Sequence, residues 1–398
     1  MTNIFADFKD ISVREEILTK LGDLERILNI EEELIKKYRI NDLFDPFHLN
    51  LKKGQVILAE DAEEKMQGIF VTAELLCQYV LARSNPQKNK EAWIRGLYSG
   101  FLLNKVCERN EETEKITNDL IKEPKDEKII LVDGKNNCFN YLFAFAKHVK
   151  NLFLKNIKGI EILSYAGSYE GFAEKIRIKN LEGSGLLFSA GSDNGSMEKI
   201  IIQNVIGNGT LYSGGRSGKI CQVVLSEIDG HNTLFEAGRS GTAEHITVST
   251  ILGSNTLRGL ASEGGIAKHI TMQNIRGELM LYAAASSHPD FEWFDKDKKE
   301  GNIEYCVSRD SSVNSIRKPI EGIKKFYFGD MGEFDSSAKG RKYTESDNFF
   351  LLKDNMVNEK RDILKKIFFI ADFLPECSFE KQIEMQRDIA SLQKELFL

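Results

Sequence analysis

Residues 196–253 read SMEKIIIQNVIGNGTLYSGGRSGKICQVVLSEIDGHNTLFEAGRSGTAEHITVSTILG. An alternating apolar run occurs three times in this stretch, as Ile200 and Ile202, Val223 and Leu225, and Ile246 and Val248. Each run is followed by a glycine: Gly207, Gly230 or Gly253, spaced by 23 and 23 residues. Outward, Gly183 and Gly159 precede at 24-residue steps and Gly277 follows at 24. Gly134, 25 residues before Gly159, marks a degenerate first coil. A fixed period of this length is the signature of stacked structural repeats.

The alternation has a period of two, which puts Ile176 and Ile178, and later Ile270 and Met272, on one face of a strand. That face is expected to point inward. The residues between (Arg177, Ile201, Val224, Thr247, Thr271) vary in polarity. Asn180, Asn204, Glu227, Thr250 and Asn274 stand where the chain must bend, and stacked Asn amides there can bond to one another.

After the glycine a second strand is expected, carrying Leu163, Leu187, Leu211, Leu234, Leu257 and Leu281 in one interior column. Small pairs follow at Ala190–Gly191, Gly214–Gly215, Ala237–Gly238 and Ala284–Ala285, where a tight corner fits. A third short apolar piece at Met197, Ile220, Ala243 and Ile266 closes each coil.

The fold class expected is mainly β: a parallel β-helix solenoid with coils of 23–25 residues and α-helical N- and C-terminal caps. The strand-crossover rule favours the right-handed form. The alternative is a leucine-rich-repeat-like solenoid, which needs a helical or 3₁₀ return segment. Here the returns read GSDNGS, GRSG or SEGG, none of which forms a helix.

Three regions follow: helical residues 1–125, the solenoid over 126–332 (regular coils about 150–291, irregular final coils to 332), and helical residues 333–398. The N-terminal region carries amphipathic stripes at Ile17–Leu28, Ile69–Val80 and Trp93–Val106. Met385, Ile389, Leu392 and Leu396 form a 4-3-4 seam that suits docking on the solenoid or on the N-terminal helices. Open strand edges at solenoid ends must be covered, which gives the helical regions a purpose.

The chain has 398 residues, 41% hydrophobic and 29% charged, with net charge −6. That balance gives no reason to expect nucleic acid as a partner. Six scattered cysteines, with no CxxC pair, suggest free thiols rather than a zinc site or disulfide framework. The N-terminus lacks a secretory signal pattern, and no apolar run is long enough to span a membrane, so a cytoplasmic location is expected. No Walker, GxGxxG, GxSxG or HExxH motif stands in the chain, and no cofactor or metal is expected.

Several columns are candidates for function. One residue past the leucines lie Phe188, Tyr212, Phe235, Arg258 and Tyr282, an aromatic ladder on which sugar rings or a partner helix can rest. Arg216 and Arg239, from two GRSG turns, stack in a column with Ser192 and Ser262. Asp193, Ser217, Ser240 and Glu263 fill the next column. The arginines can bind a carboxylate, sulfate or phosphate, or pair with these acids. Glu236 lies two residues beyond the leucine column, so it should point inward and need a partner. With Asp193 or Glu263 it is the one acid pairing that suits glycoside chemistry. His245 stacks above His269 at strand starts, without a third ligand in that column.

No catalytic constellation emerges, so catalytic residues are unassigned. The expectation is a non-enzymatic scaffold whose lateral face binds a partner protein or carbohydrate polymer, with homo-oligomer contacts through the helices as a further option. The alternative is a carbohydrate-active β-helix enzyme, a polysaccharide lyase or glycoside hydrolase, by analogy of architecture alone.

Overall fold

A computed structural model describes residues 11–38, 51–84, 89–120, 129–277, 301–309, 358–374 and 377–396, with 281, 284, 326–328 and 349–351 as short additions. The chain is a parallel β-solenoid with helices at both ends. Four helices come first: α1 (Ile11–Lys37), α2 (Leu51–Lys65), α3 (Ala73–Arg83) and α4 (Asn89–Leu120). The strands are β1 (Ile130–Cys138), β2 (His148–Val149), β3 (Leu152–Lys158), β4 (Phe172–Glu182), β5 (Ser196–Ile206), β6 (Lys219–Asp229), β7 (Thr242–Leu252), β8 (Ile266–Arg276), β9 (Asn302–Arg309), β10 (Phe326–Phe328) and β11 (Phe349–Leu351). Helices α5 (Asn358–Phe373) and α6 (Phe379–Leu396) end the chain.

The strands form one parallel sheet in sequence order, β2 alone pairing off the path to β4. The register lays Ile176, Ile200, Val223, Ile246 and Ile270 over one another, and likewise Ile178, Ile202, Leu225, Val248 and Met272. Both rows are buried. Each long strand bends at a left-handed residue, Asn180, Asn204, Glu227, Thr250 or Asn274. The amide ladder is present there. Asn204 Nδ2 donates to Asn180 Oδ1 at 2.8 Å, and Asn180 Nδ2 to Asn156 Oδ1 at 2.9 Å. Asn274 Nδ2 donates to Thr250 Oγ1 at 3.3 Å. Asn tolerates this backbone and closes its amide on the neighbouring coil, which explains the residue choice.

The glycines after the bend stack as closely as backbones allow. A Cβ at Gly207 would overlap the Gly183 carbonyl oxygen, and φ there is +149°.

The second wall corrects the sequence expectation. Among the described residues it contains no strand. Instead, the chain runs as consecutive turns in which left-handed residues alternate with right-handed ones: Leu187 (φ 54°), Ser189 (50°), Gly191 (65°) and Asp193 (50°). Their amides bond alternately to the coil before and the coil after, as Leu187 N to Ile162 O at 2.9 Å and Ser189 N to Tyr212 O at 2.8 Å. The right-handed residues between them close i to i−3 bonds, such as Ala190 N to Leu187 O at 3.2 Å. Leucine has no intrinsic liking for φ above zero; stacking over-determines the conformation. A two-residue repeat survives, so the leucines still face inward. Leu163, Leu187, Leu211, Leu234 and Leu257 are fully buried.

The N-terminal helices seal the first coil and share its core. Gly96 and Gly100 let α4 approach the Tyr141 and Ala144 backbone, where any Cβ would collide. Ser99 Oγ accepts the Phe143 amide at 2.8 Å, and Trp93 meets the Tyr141 ring edge-on at 4.9 Å. Helix α3 runs against β1, with Cys77 Sγ donating to Leu131 O at 2.8 Å. A buried Glu31 ties α1 to Arg95 of α4 and, at 3.2 Å, to Arg83 of α3.

Helices α5 and α6 lie along the side of the solenoid. Ile363, Leu364, Ile367 and Phe368 of α5, with Ile389 and Leu396 of α6, pack on Ile201, Val224 and Val307 from the outer face of the sheet. The seam read from the sequence therefore docks on the solenoid, and Met385 and Leu392 are its partly buried members. Among the described residues no helix is long and apolar enough to cross a membrane.

Candidate binding face

With the sheet wall covered by α5 and α6, the turn wall holds the candidate columns. The hydrogen-bond register assigns each residue to its column. Tyr165 N, Ser189 N, Ser213 N and Glu236 N each donate to the following coil, reaching Phe188, Tyr212, Phe235 and Arg258. Phe188, Tyr212, Phe235 and Arg258 therefore form one column, and Phe145, Tyr165, Ser189, Ser213 and Glu236 form the next. Two further columns hold Ser192, Arg216, Arg239 and Ser262, then Tyr169, Asp193, Ser217, Ser240 and Glu263. Tyr282 lies outside the described residues.

The aromatic ladder exists, but its rings are used differently from the flat platform expected for sugars. Phe188 and Tyr212 stack at 5.3 Å with 16° between planes, and Tyr212 and Phe235 at 4.7 Å with 13°. The Arg258 guanidinium caps the row, 5.4 Å from the Phe235 centroid, and Arg258 Nη1 donates to Asn255 Oδ1 at 3.2 Å. Rings stacked along the solenoid axis spend their faces on one another and offer their edges outward. All four side chains are partly buried.

The sequence reading missed the ladder's extension toward the cap. Phe145 and Tyr165 stack at 4.5 Å, Phe145 also lies parallel to Tyr169 at 6.2 Å, and Tyr165 meets Phe188 edge-on at 5.8 Å. Trp93 of α4 touches Phe145 at 6.0 Å. Here the aromatic residues shift by one column, and Ser164 occupies the place of the next coil's Phe188. Only the stacking register reveals that the rings still meet. Burial, with Asp193 nearby, pushes the Tyr169 hydroxyl up to about 12. The Tyr212 hydroxyl is raised by burial and then by the Glu236 charge.

Arg216 and Arg239 share a column, yet they are not a pair of equivalent guanidinium groups open to solvent. Arg216 is exposed; Arg239 is buried at 5% exposure. Arg239 Nη1 donates to Glu236 Oε2 at 2.8 Å, and its Nη2 donates to Glu263 Oε1. Burial works against the Arg239 charge but is outweighed by Glu263 and Glu236, so its pKa rises. Glu236 is buried as expected, and Arg239 is the partner it needed. Its carboxylate is committed to that ion triad rather than aimed with Glu263 across a cleft. Asp193 is exposed and accepts from Ser192 Oγ at 3.1 Å.

His245 and His269 stack at 5.0 Å, and Tyr305 continues the row 4.9 Å beyond His269. This column is on the sheet wall beneath α6, away from the ladder. His269 Nδ1 and Gln393 Oε1 are 2.8 Å apart, while Gln393 Nε2 donates to Ile270 O and Thr271 Oγ1, both at 3.0 Å. The amide geometry makes His269 Nδ1 the donor, and burial of the ring disfavours its charged form. Gln386 Nε2 adds a bond to Val223 O at 3.2 Å. These buried glutamines were not singled out in the sequence; their i, i+7 spacing on a helix face was the available signal.

Among the described residues no group of three or more His, Cys, Asp and Glu side chains gathers as a metal site would require. Comparison with protein-family models, with curated proteins and with solved structures finds no match to this chain.

Proposed function

We propose that the protein is a non-enzymatic scaffold that binds a partner protein along the turn wall of its solenoid. The observation that carries this reading is the self-stacked ladder from Phe188 to Arg258, whose rings turn their edges outward. The described helices pack on the sheet wall and on the first coil instead. Aromatic and arginine side chains held rigidly in a row lose little freedom on association and are favoured at protein interfaces. A polysaccharide would prefer open ring faces, which this row lacks.

The rival reading, a carbohydrate-active enzyme, needs two acids flanking a substrate. Glu236 and Glu263 instead both close on one guanidinium, that of Arg239. The two readings part on a peptide display selection run beside a polysaccharide panel. The wild-type chain is expected to enrich peptides, with affinity falling at least about tenfold in Tyr212→Ala or Phe235→Ala, as for loss of an interface anchor. Polysaccharide binding that survives both substitutions, or release of reducing or unsaturated sugar ends, would overturn the scaffold reading.

A further inference from the structure

Arg216 and Arg239 occupy the same seat in successive coils. Each amide donates to the carbonyl three residues back, Ser213 O and Glu236 O, at 3.2 Å in both cases. The neighbouring left-handed positions match as well: Ser213 and Glu236 both at φ 52°, Ser240 and Glu263 both at φ 52°. What differs is the acid. Glu236, in its own coil, and Glu263, in the next, both close on the Arg239 guanidinium. The equivalent positions around Arg216 are Ser213 and Ser240, which bring no charge. Arg216 forms no ion pair among the described residues, and its side chain is exposed.

We propose that Arg216 anchors a carboxylate carried by an acidic segment of a partner protein, completing from outside the ion pair that Arg239 completes from within. This rests on the turn wall being a protein-binding face, and it names the chemistry of that partner. The Tyr212 ring precedes Arg216 by four residues and stacks on Phe235, so the anchor borders the partly buried ladder. Ring edges carry the positive end of the aromatic quadrupole and accept a carboxylate or an apolar side chain beside it. The wider neighbourhood is not strongly positive. The Arg239 triad has two carboxylates to one guanidinium, and Asp193 lies one coil away. Recognition therefore depends on the short forked hydrogen bonds of a guanidinium and on ring contact rather than on long-range attraction.

The test uses the full chain and a fluorescein-labelled peptide rich in Glu and Leu, with the Gln and Leu peptide as its control, read by anisotropy. The wild type is expected to prefer the Glu peptide by about tenfold or more, the scale of a charged hydrogen bond. Arg216→Gln is expected to erase the preference. The double variant Ser213→Glu/Ser240→Glu should erase it too, by supplying Arg216 with the internal acids that Arg239 has. Both seats hold the left-handed backbone that Glu236 and Glu263 already adopt, so glutamate adds no backbone strain there. Thermal melting of each variant establishes that it is folded. A preference that persists in folded Arg216→Gln sinks the anchor. The turn-wall reading still stands in that case if Tyr212→Ala weakens binding of both peptides. If the wild type binds neither peptide, or Tyr212→Ala changes nothing, both proposals fail together.

Discussion

Arg239 shows how one residue's setting can reverse a sequence expectation. Read alone, GRSG repeated in adjacent coils offers two guanidinium groups to an anion. In the fold, Glu236 and Glu263 take one of them out of circulation. The sequence placed Glu236 inside and demanded a partner, yet could not say that the partner was three residues away, because that contact depends on left-handed backbone at Glu236. Breaking a buried ion pair leaves the other charges uncompensated. Arg239→Ala should therefore cost about 3 kcal/mol or more in urea unfolding, whereas Arg216→Ala, at an exposed site, should change stability by less than about 0.5 kcal/mol. Equal costs for the two would mean that the triad is not formed. Gly207 offers a second test at this scale. A methyl there would overlap the Gly183 carbonyl, on a backbone that L side chains rarely adopt. Gly207→Ala should lose more than about 2 kcal/mol, and an unchanged denaturation midpoint would show that the coils stack less closely.

At the scale of the element, the α5–α6 pair decides which wall the described C-terminal helices cover. Its apolar stripe meets Ile201, Val224 and Val307, and its glutamines read the sheet backbone and His269. The apolar seam on α6 was legible as a packing surface because its spacing follows the helix period. Its destination was not, since the outer strand column runs from Arg177 through Ile201, Val224 and Thr247 to Thr271 with no uniform apolar signal. Gln393→Ala should loosen α6, and faster amide hydrogen exchange confined to α5 and α6 would report it. Acid should do the same. Burial, then the neighbouring His269, holds His245 down at about 4, with Glu244 opposing and Lys268 and Lys394 adding to the effect. His269 is also lowered by burial; Lys394 and Lys268 act in the same sense, against Gln393 and Glu304. Unfolded histidine titrates near about 6.5. Between that pH and about 4 the unfolded chain holds more protons, so stability present above pH 6.5 is lost as pH falls through this window and declines no further from this source below it. Exchange in α6 should accelerate across the window in the wild type and less so in His245→Gln, which places in the column the residue Gln222 already supplies one coil earlier. An identical acid response in the two would exclude His245 as its cause.

For the whole molecule, stability is a sum over coils and the interfaces between them, closed at the start by α1 to α4. Those helices share one core with the first coils, and α3 runs along β1. A chain beginning at residue 129 should expose that core and an open strand edge, and so aggregate where the full chain stays monodisperse in light scattering. A monodisperse truncation would show that the helices are not a cap. The sequence by itself determined the solenoid, its 23- to 24-residue step, the inward Ile and Leu rows and the Asn bend ladder. Each of these is a demand that a coil makes on its nearest neighbour, and the same demand made repeatedly is written as periodicity. Only the tertiary structure decided that the second wall is a chain of turns, that the rings turn their edges outward, and that α5 and α6 lie on the sheet. Those outcomes depend on backbone handedness that leucine does not signal, and on contacts between segments more than 60 residues apart in the chain, such as Arg309 with Asp372 at |i−j| = 63, whose pairing leaves no repeat to read.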